Sequence, residues 1–272
     1  MSSQDYLLTY PNQLKRIIEG MFQQEPKLRQ VASVYADALQ SGGLIHVYAN
    51  GHSRIAVEEM VIRMGALTGF HALLSSGLTN FTDVVGSNGI RVNQFFEKVE
   101  GSGSQLLDEV DFGAKDVLLV VTATGTTAAA VDIALTFTRR YPDLAIVAIA
   151  SKEQSRQAPA KHSSGKNLWH VIEGARNGFF IDNCMPIGDL TTEIKGKDGT
   201  YSVCPLSSIG ALTVVQSLNE LTIKELERRN VQHPTLRNMH LDNTQVNYDA
   251  WLRDQRTRYA KAIDNPDRIK HE

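Results

Sequence analysis

The chain has 272 residues, of which 42% are hydrophobic and 21% charged, with 28 lysines and arginines against 30 aspartates and glutamates. A chain of this size and composition can bury a large core without disulfides or a structural metal. The net charge of −2 argues against a surface that tracks nucleic acid, which would carry a basic excess. Two isolated cysteines favour a reducing cytoplasm over a disulfide framework. The N-terminus lacks a signal-peptide pattern, and no apolar run reaches the length of a membrane span.

Apolar residues recur at three- and four-residue steps through the first forty residues, which predicts a helix that Pro26 breaks or restarts. A second helical pattern covers Arg54–Met64, and an Ala-rich helix is predicted to end near Tyr141. Short apolar, β-favouring runs predict five strands, at 44–48, 71–74, 116–121, 144–150 and 178–182. Strands that alternate with helices predict an α/β fold, a five-stranded parallel sheet flanked by helices in the flavodoxin-like manner.

The second half of the chain is less regular. Residues 152–176 are predicted to form a structured loop, and 188–201 a surface hairpin or insert. Helices are predicted from Ser207 to about Asn230 and over 248–263. Because no linker or repeat stands out, we predict one domain over residues 1–272. It divides into a helical extension of about 1–42, an α/β core of about 43–232 and a C-terminal tail of about 233–272.

Two strand–turn–helix junctions carry the chemistry. Gly51, His52 and Ser53 follow the first predicted strand, and a threonine-rich turn follows the third, with Thr122, Thr124, Gly125, Thr126 and Thr127. Such turns lie at the carboxyl edge of a parallel sheet, where ligands bind. Helix-start N–H groups and hydroxyls suit a tetrahedral anion, although a helix N-cap alone would need one hydroxyl. Neither turn is a Walker loop or a dinucleotide fingerprint, which removes the commonest enzyme classes for such a sheet.

The pair of loops resembles the SIS (sugar isomerase) domain family, over about residues 10–250. Four further segments are similar to a little-characterised SIS subgroup; they are Glu58-Glu59, His162-Ser163-Ser164-Gly165-Lys166, Asp182-Asn183-Cys184 with Gly188-Asp189, and Pro205-Leu206-Ser207-Ser208. The resemblance implies a five-stranded parallel sheet that binds phosphosugars at its carboxyl edge. The family's turn is usually rich in serine, so the threonines here leave the detailed ligand fit open.

The resemblance implies an aldose–ketose isomerase that acts on an anionic sugar through a cis-enediol. Its base would be Glu59, with Glu58 as the fallback and Glu220 as a further candidate, while His52 would assist ring opening. For a randomly chosen glutamate, an exposed helix carboxylate is the commoner state. The residues expected to bind the sugar are Gly51, Ser53, Thr122, Thr124, Gly125, Thr126, Thr127, His162, Lys166, Asp182, Asn183, Ser207, Ser208 and Asn238.

Other functions stay open on the sequence alone. SIS domains also serve as non-catalytic sugar-phosphate sensors, although no DNA-reading segment flanks this one. Amino-sugar-phosphate deamination or sugar-ether cleavage would use the same enolisation, and a sulfonate would suit the same turn as a phosphate. We expect no cofactor and no metal site, because no metal-ligand spacing is present. The expected partners are a small anionic sugar and a second copy of the chain, as a homodimer or a dimer of dimers, and neither nucleic acid nor membrane.

Overall fold

Five short strands form a parallel sheet at the centre of the molecule, which confirms the predicted fold class. The structure, a computed structural model, describes residues 9–75, 90–232, 235–236, 238, 240–241, 245–266 and 268–269, without the side chains of 90 and 245–248. The strands are β1 (Ile45–Ala49), β2 (Phe70–Leu73), β3 (Val117–Val121), β4 (Ala145–Ala150) and β5 (Gly178–Asp182). They are ordered β2-β1-β3-β4-β5, so the turns after β1 and β3 are neighbours at the carboxyl edge.

The alternation of side chains along each strand divides the core into two layers. On β3, Val117, Leu119 and Val121 face one apolar cluster, whereas Leu118 and Val120 face the other. Both clusters are fully buried there, which explains why the strand reads as a continuous apolar run. The sheet is therefore covered by helices on both faces, and only its edges are left to carry ligand-binding turns.

The N-terminal helix α1 (Tyr10–Gln40) runs through Pro26 without a break, so the predicted interruption is wrong. A proline inside a helix costs roughly 3 kcal/mol, through a lost hydrogen bond and a clash with the preceding turn. Met21 and Leu28, on either side of Pro26, are both buried in the same core cluster. Packing of this face against α8 (Ser207–Arg228) and β5 offsets the cost.

The helices that connect the strands differ from the predicted ones in several places. The helix α2 (Arg54–Met60) is shorter than predicted, because Ile62 adopts a left-handed backbone conformation with φ of 50°. The expected loop over 152–176 contains two one-turn helices, α6 (Lys152–Gln157) and α7 (Leu168–Glu173). The pattern did not reveal α3 (Ile90–Phe96) or α4 (Ser102–Asp108), whereas the Ala-rich helix is α5 (Ala128–Arg140).

The remaining elements follow the predictions closely. The segment predicted as a surface hairpin or insert is an antiparallel hairpin of β6 (Leu190–Gly196) and β7 (Gly199–Pro205). The C-terminal extension contains α9 (Gln245–Ile263), which lies against the edge strand β2, where Gln255 bonds the main chain on both sides of Phe70. Within the described residues, no helix is long and apolar enough to cross a membrane. The division of the chain near residues 42 and 232 stays a prediction.

Candidate functional site

A cavity of about 480 Å³ opens at the carboxyl edge of the sheet, where β1 and β3 end side by side. This volume lies within the range of small-molecule sites. Its walls come from segments that are distant in sequence: the turn after β1, the turn after β3, the start of α8 with Asp189, and residues 93–97, together with Lys161. The lining residues are Asn50, Gly51, His52, Ser53, Asn93, Gln94, Glu97, Thr122, Ala123, Thr124, Thr127, Lys161, Asp189, Pro205, Ser207 and Ser208.

The first wall is the turn after β1. Gly51 has a φ of +55°, a conformation that an L side chain rarely adopts, and it starts a single 3₁₀ turn over Gly51–Ser53. This turn directs Gly51, His52 and Ser53 into the cavity lining. The structure therefore brings all three predicted residues of the first junction to one place.

The second wall is the threonine-rich turn after β3, and its residues divide into two groups. Thr122, Thr124 and Thr127 line the cavity, with Thr127 at the N-terminal boundary of α5. Thr126 is buried and its hydroxyl lies 2.9 Å from that of Thr124. The Gly125 carbonyl accepts the N–H of Leu168, the first residue of α7, at 2.9 Å, which fixes the turn against that helix. The first group can reach a ligand, whereas Gly125 and Thr126 shape the turn.

The third wall is the start of α8, where a carboxylate accepts hydrogen bonds from the helix N-terminus. Asp189 accepts the N–H of Leu206 at 2.9 Å, the N–H of Ser207 at 2.6 Å and the Ser207 hydroxyl at 2.6 Å. A carboxylate in this position compensates the positive end of the helix dipole. The Ser207 hydroxyl is also engaged, although Ser207 and Ser208 both line the cavity. The N-terminus of α8 is therefore already compensated by a carboxylate, whereas the first turn of α5 contains no acidic residue.

A carboxylate that the sequence analysis did not select lies in this cavity. Glu97 follows α3 directly, and its main-chain carbonyl accepts the N–H of Ala129 at 3.1 Å, which fixes the residue beside the first turn of α5. Its side chain accepts a hydrogen bond from Asn93 Nδ2 at 3.1 Å. Burial raises the pKa of the Glu97 carboxyl, and that hydrogen bond and the charges of Lys161 and His52 oppose the rise. A partly buried carboxylate of this kind is suited to take up and return a proton.

Several polar atoms in the cavity walls are buried without a hydrogen-bond partner among the described residues. They are Asn50 Nδ2, Asn93 Oδ1 and the Thr127 hydroxyl. Buried polar groups in folded proteins are nearly always paired, because an unpaired one costs roughly 1–3 kcal/mol. Two of these atoms can donate and two can accept, so together they match a ligand with both kinds of group, such as a polyol.

The glutamates predicted as bases do not line the cavity. Glu59 Oε1 accepts from Gln216 Nε2 at 2.7 Å and forms an ion pair with Arg63 at 2.9 Å. Glu220 forms an ion pair with Lys224, and its side chain is 62% exposed. Glu58, the fallback, is bonded to Arg54 at 2.6 Å. Each of these carboxylates already has a side-chain partner outside the cavity, so Glu97 is the better candidate base.

Other predicted ligands also lie elsewhere, for identifiable reasons. Asp182 accepts the N–H groups of Lys152 and Cys184, at 3.0 Å each, and so holds the loop after β5. Asn183 is fully buried and donates to the carbonyl of Ala123 at 3.0 Å, behind the threonine-rich turn.

Three more predicted ligands lie outside the cavity. Asn238 accepts the N–H of His240 at 3.0 Å. Lys166 is exposed, and His162 lines a different cavity. The basic side chain that reaches the site from this loop is Lys161, which the sequence analysis did not select.

Among the described residues no group of three or more His, Cys, Asp or Glu side chains is arranged to hold a metal ion. The expectation that the protein uses no metal or cofactor stays a prediction.

Comparison with known proteins agrees with this architecture. The SIS domain family model matches residues 9–151. A UPF0309 protein of Caldanaerobacter subterraneus subsp. tengcongensis is 28% identical, over 81% of this chain and 85% of the relative. A UPF0309 protein of Halalkalibacterium halodurans is 24% identical, over 87% of this chain and 89% of the relative. A phosphoheptose isomerase structure from Francisella tularensis superposes with a TM-score of 0.50 and 15% identity, over 82% of this chain and 100% of that chain, which shows a shared fold.

Proposed function

This chain belongs to the SIS domain family, and we propose that it is an aldose–ketose isomerase that acts on a sugar phosphate through a cis-enediol. The observation that carries the proposal is the position of Glu97, a carboxylate of raised pKa in the same cavity as the threonine-rich turn. A cavity of about 480 Å³ accommodates a sugar phosphate, and the polar atoms in its walls match sugar hydroxyls.

The phosphate binds at the start of α5. Thr122, Thr124 and Thr127 supply hydroxyl donors there, and the helix N-terminus favours negative charge. Lys161 adds a positive charge at the same cavity. Because Asp189 already compensates α8, the sugar chain points towards that wall and presents its hydroxyls to Asp189 and Ser208.

Glu97 is the proton carrier in this mechanism. Its carboxylate removes the proton from C2 of the open-chain aldose, and the C–H electron pair forms the C1–C2 double bond of the enediol as O1 takes up a proton. Glu97 then returns its proton to C1 while the O2 proton leaves, so that the carbonyl forms at C2. His52 lies in the same cavity and carries the proton at the oxygens, which also serves ring opening. Burial raises the pKa of the Glu97 carboxyl, which makes its carboxylate a stronger base than an exposed one.

The test is deuterium exchange with two matched glutamate variants. Wild-type protein is incubated in D₂O with a panel of aldose and ketose phosphates and the matching sulfonates, and deuterium entry at C1 and C2 is followed by NMR. We expect exchange on at least one phosphate, with a loss of about 10²- to 10⁴-fold in Glu97→Gln, the usual range for removing a general base. Glu59→Gln, in which the substituted side chain lies outside the cavity, is the control and should stay within a few-fold of wild type.

The outcome separates the candidate functions. Full exchange in Glu97→Gln with loss in Glu59→Gln would restore Glu59 as the base and overturn this assignment. Binding of a panel member without exchange would identify a non-catalytic sugar-phosphate-binding module. Exchange on the sulfonates alone would keep the reaction and change the anionic group.

A further inference from the structure

A second cavity, of about 770 Å³, lies along α5 between α4 and the end of α7, and it shares no lining residue with the first. Along α5 it is lined by Asp132, Leu135, Thr136 and Arg139, which occupy one face of the helix. The His162-Ser163-Ser164-Gly165-Lys166 segment contributes His162 and Ser164. The proposed function uses none of these residues.

His162 is the central feature of this second cavity. Its side chain is only 9% exposed. The N–H of Ser164 donates to His162 Nδ1 at 3.1 Å, so Nδ1 is an acceptor and the neutral imidazole carries its proton on Nε2. That Nε2 atom is buried and has no hydrogen-bond partner among the described residues. Its nearest carboxylate oxygens, Glu100 Oε2 and Asp132 Oδ1, are each 3.6 Å away, which is too far for a hydrogen bond.

The chemistry around His162 selects one kind of group. The two carboxylates accept hydrogen bonds, whereas the Nε2–H of His162 donates. A hydroxyl can accept from the imidazole and donate to a carboxylate, so it satisfies both sides at once. An anion placed here would face Asp132 and Glu100 and be repelled. This end of the cavity therefore fits a hydroxyl-bearing part of a ligand.

The opposite end of the cavity carries positive charge. Arg139 lies seven residues after Asp132 on α5, which separates the two by about 10 Å along the helix axis. Arg139 is exposed, and no carboxylate among the described residues pairs with it. Arg176 lines the same cavity and pairs with Asp143. A guanidinium is well suited to bind a phosphate or a carboxylate in two-point fashion.

We propose that this cavity is a second ligand site, which takes a polyhydroxylated chain with one anionic end, such as a phosphorylated sugar alcohol. A ligand hydroxyl bridges His162 and Asp132, and the anionic group binds Arg139. An extended six-carbon chain with a terminal phosphate has the length that this separation requires.

The two cavities are lined by residues that are close together in the sequence. Lys161 lines the first cavity, and His162, the next residue, lines the second. Glu97 lines the first cavity, and three residues later Glu100 holds the loop of the second by accepting the N–H of Ser163 at 2.6 Å. Short stretches of chain therefore connect the two cavities.

The test is titration calorimetry of the full chain with sorbitol 6-phosphate, sorbitol and inorganic phosphate. With sorbitol 6-phosphate we expect a binding event at this cavity, whether or not the first cavity also binds the compound. Arg139→Ala should weaken that event by tenfold or more, because it removes a charge-assisted contact made by an exposed side chain. Arg256→Ala, at an exposed arginine of α9 that lines neither cavity, is the control and should leave binding unchanged. His162→Gln should weaken the same event as Arg139→Ala.

Three results would overturn the proposal. Absence of binding, or binding that Arg139→Ala leaves unchanged, would exclude this site. Inorganic phosphate that binds as tightly as sorbitol 6-phosphate would show an adventitious ion only. These results do not depend on the isomerase proposal, because the exchange assay with Glu97→Gln reports on the first cavity alone. Failure of one proposal is therefore distinguishable from failure of the other.

Discussion

A buried chain of two histidines and an aspartate connects β1, β2 and the start of β3, and it should make the stability of the protein depend on pH. His46 Nε2 lies 3.2 Å from Asp116 Oδ2, and the two Nδ1 atoms of His46 and His71 are 3.1 Å apart. Asp116 also accepts the main-chain N–H groups of residues 44 and 113, at 2.8 Å each. At the contact between the two rings one Nδ1 atom must donate and the other accept, so the two histidines cannot both carry a proton on Nδ1. A second positive charge in this buried pair is therefore unfavourable.

The magnitude follows from the pKa of His71. Burial, and to a smaller extent the neighbouring His46, lowers the pKa of His71 to about 4, and the charge of Asp116 opposes this. In the unfolded chain the pKa of a histidine is near 6.5. Between pH 4 and pH 6.5 the unfolded state binds a proton at this histidine that the folded state does not bind, so the free energy of unfolding rises with pH through this window. The full contribution is therefore present above pH 6.5 and is lost as the pH falls towards 4. At about 1.4 kcal/mol per pK unit, the loss is at most about 2 kcal/mol at pH 5 and about 3 kcal/mol at pH 4.

Urea unfolding at pH 7.5, 6 and 5 measures this effect. We expect His71→Asn to remove most of the difference between pH 7.5 and 5, because the asparagine amide can still donate to His46 but does not titrate. His240→Asn, at an exposed histidine, is the matched control and should keep the wild-type pH dependence. If His71→Asn and wild type lost the same stability between pH 7.5 and 5, the buried histidine pair would not be the cause.

Two further predictions concern the second junction and the thiols. Gly125→Ala should lower the free energy of unfolding, measured in urea, by about 2–4 kcal/mol, because Gly125 has a φ of +70° and a new Cβ would lie 2.6 Å from Ser155 Oγ. A free energy of unfolding equal to that of wild type would contradict this packing. Burial, and to a smaller extent the charge of Asp182, raises the pKa of the Cys184 thiol to about 12. Because the thiolate is the reactive form, iodoacetamide at pH 8 should modify Cys204 and leave Cys184 unmodified. Peptide mapping by mass spectrometry reads the labels, and equal modification of both thiols would refute the assignment.

The sheet was predictable because local patterns and global topology agree there. Each of the five strands is a short apolar run with a turn or helix after it, and such runs are stable only when both faces are covered. The two junctions were predictable for the same reason, since Gly51 and the threonine-rich turn end neighbouring strands. The helix through Pro26 was not predictable, because long-range packing against α8 outweighs a local cost.

The site was predicted only in part, because the wall that contains Glu97 comes from an element with a weak local signal. The helix α3 has seven residues, and its position is fixed by the bond from Ala129 to the carbonyl of Glu97, a contact between residues 32 apart. The residues around Glu97 carry no sequence signal that predicts this contact. The loop with His162 and Lys166 was predicted to face the ligand, yet it divides between two cavities, with Lys161 on one side and His162 on the other.

A helical pairing rule would have ranked the candidate bases better. Residues four apart on a helix are neighbours, and opposite charges at that spacing pair with each other. Glu59 precedes Arg63 by four residues, and Glu220 precedes Lys224 by four; both pairs form in the structure.

Glu97 has no basic residue three or four positions away in either direction. Asn93 and Gln94 precede it at these spacings, and Glu100 and Gly101 follow. Its carboxylate therefore has no cationic partner one helical turn away; it accepts a hydrogen bond from the Asn93 amide and can still accept one from a ligand. A general base must be free to exchange its proton with substrate, so a glutamate without a local cation is the better candidate at a ligand-binding edge. By this rule Glu97→Gln, not Glu59→Gln, is the variant in which exchange should fail.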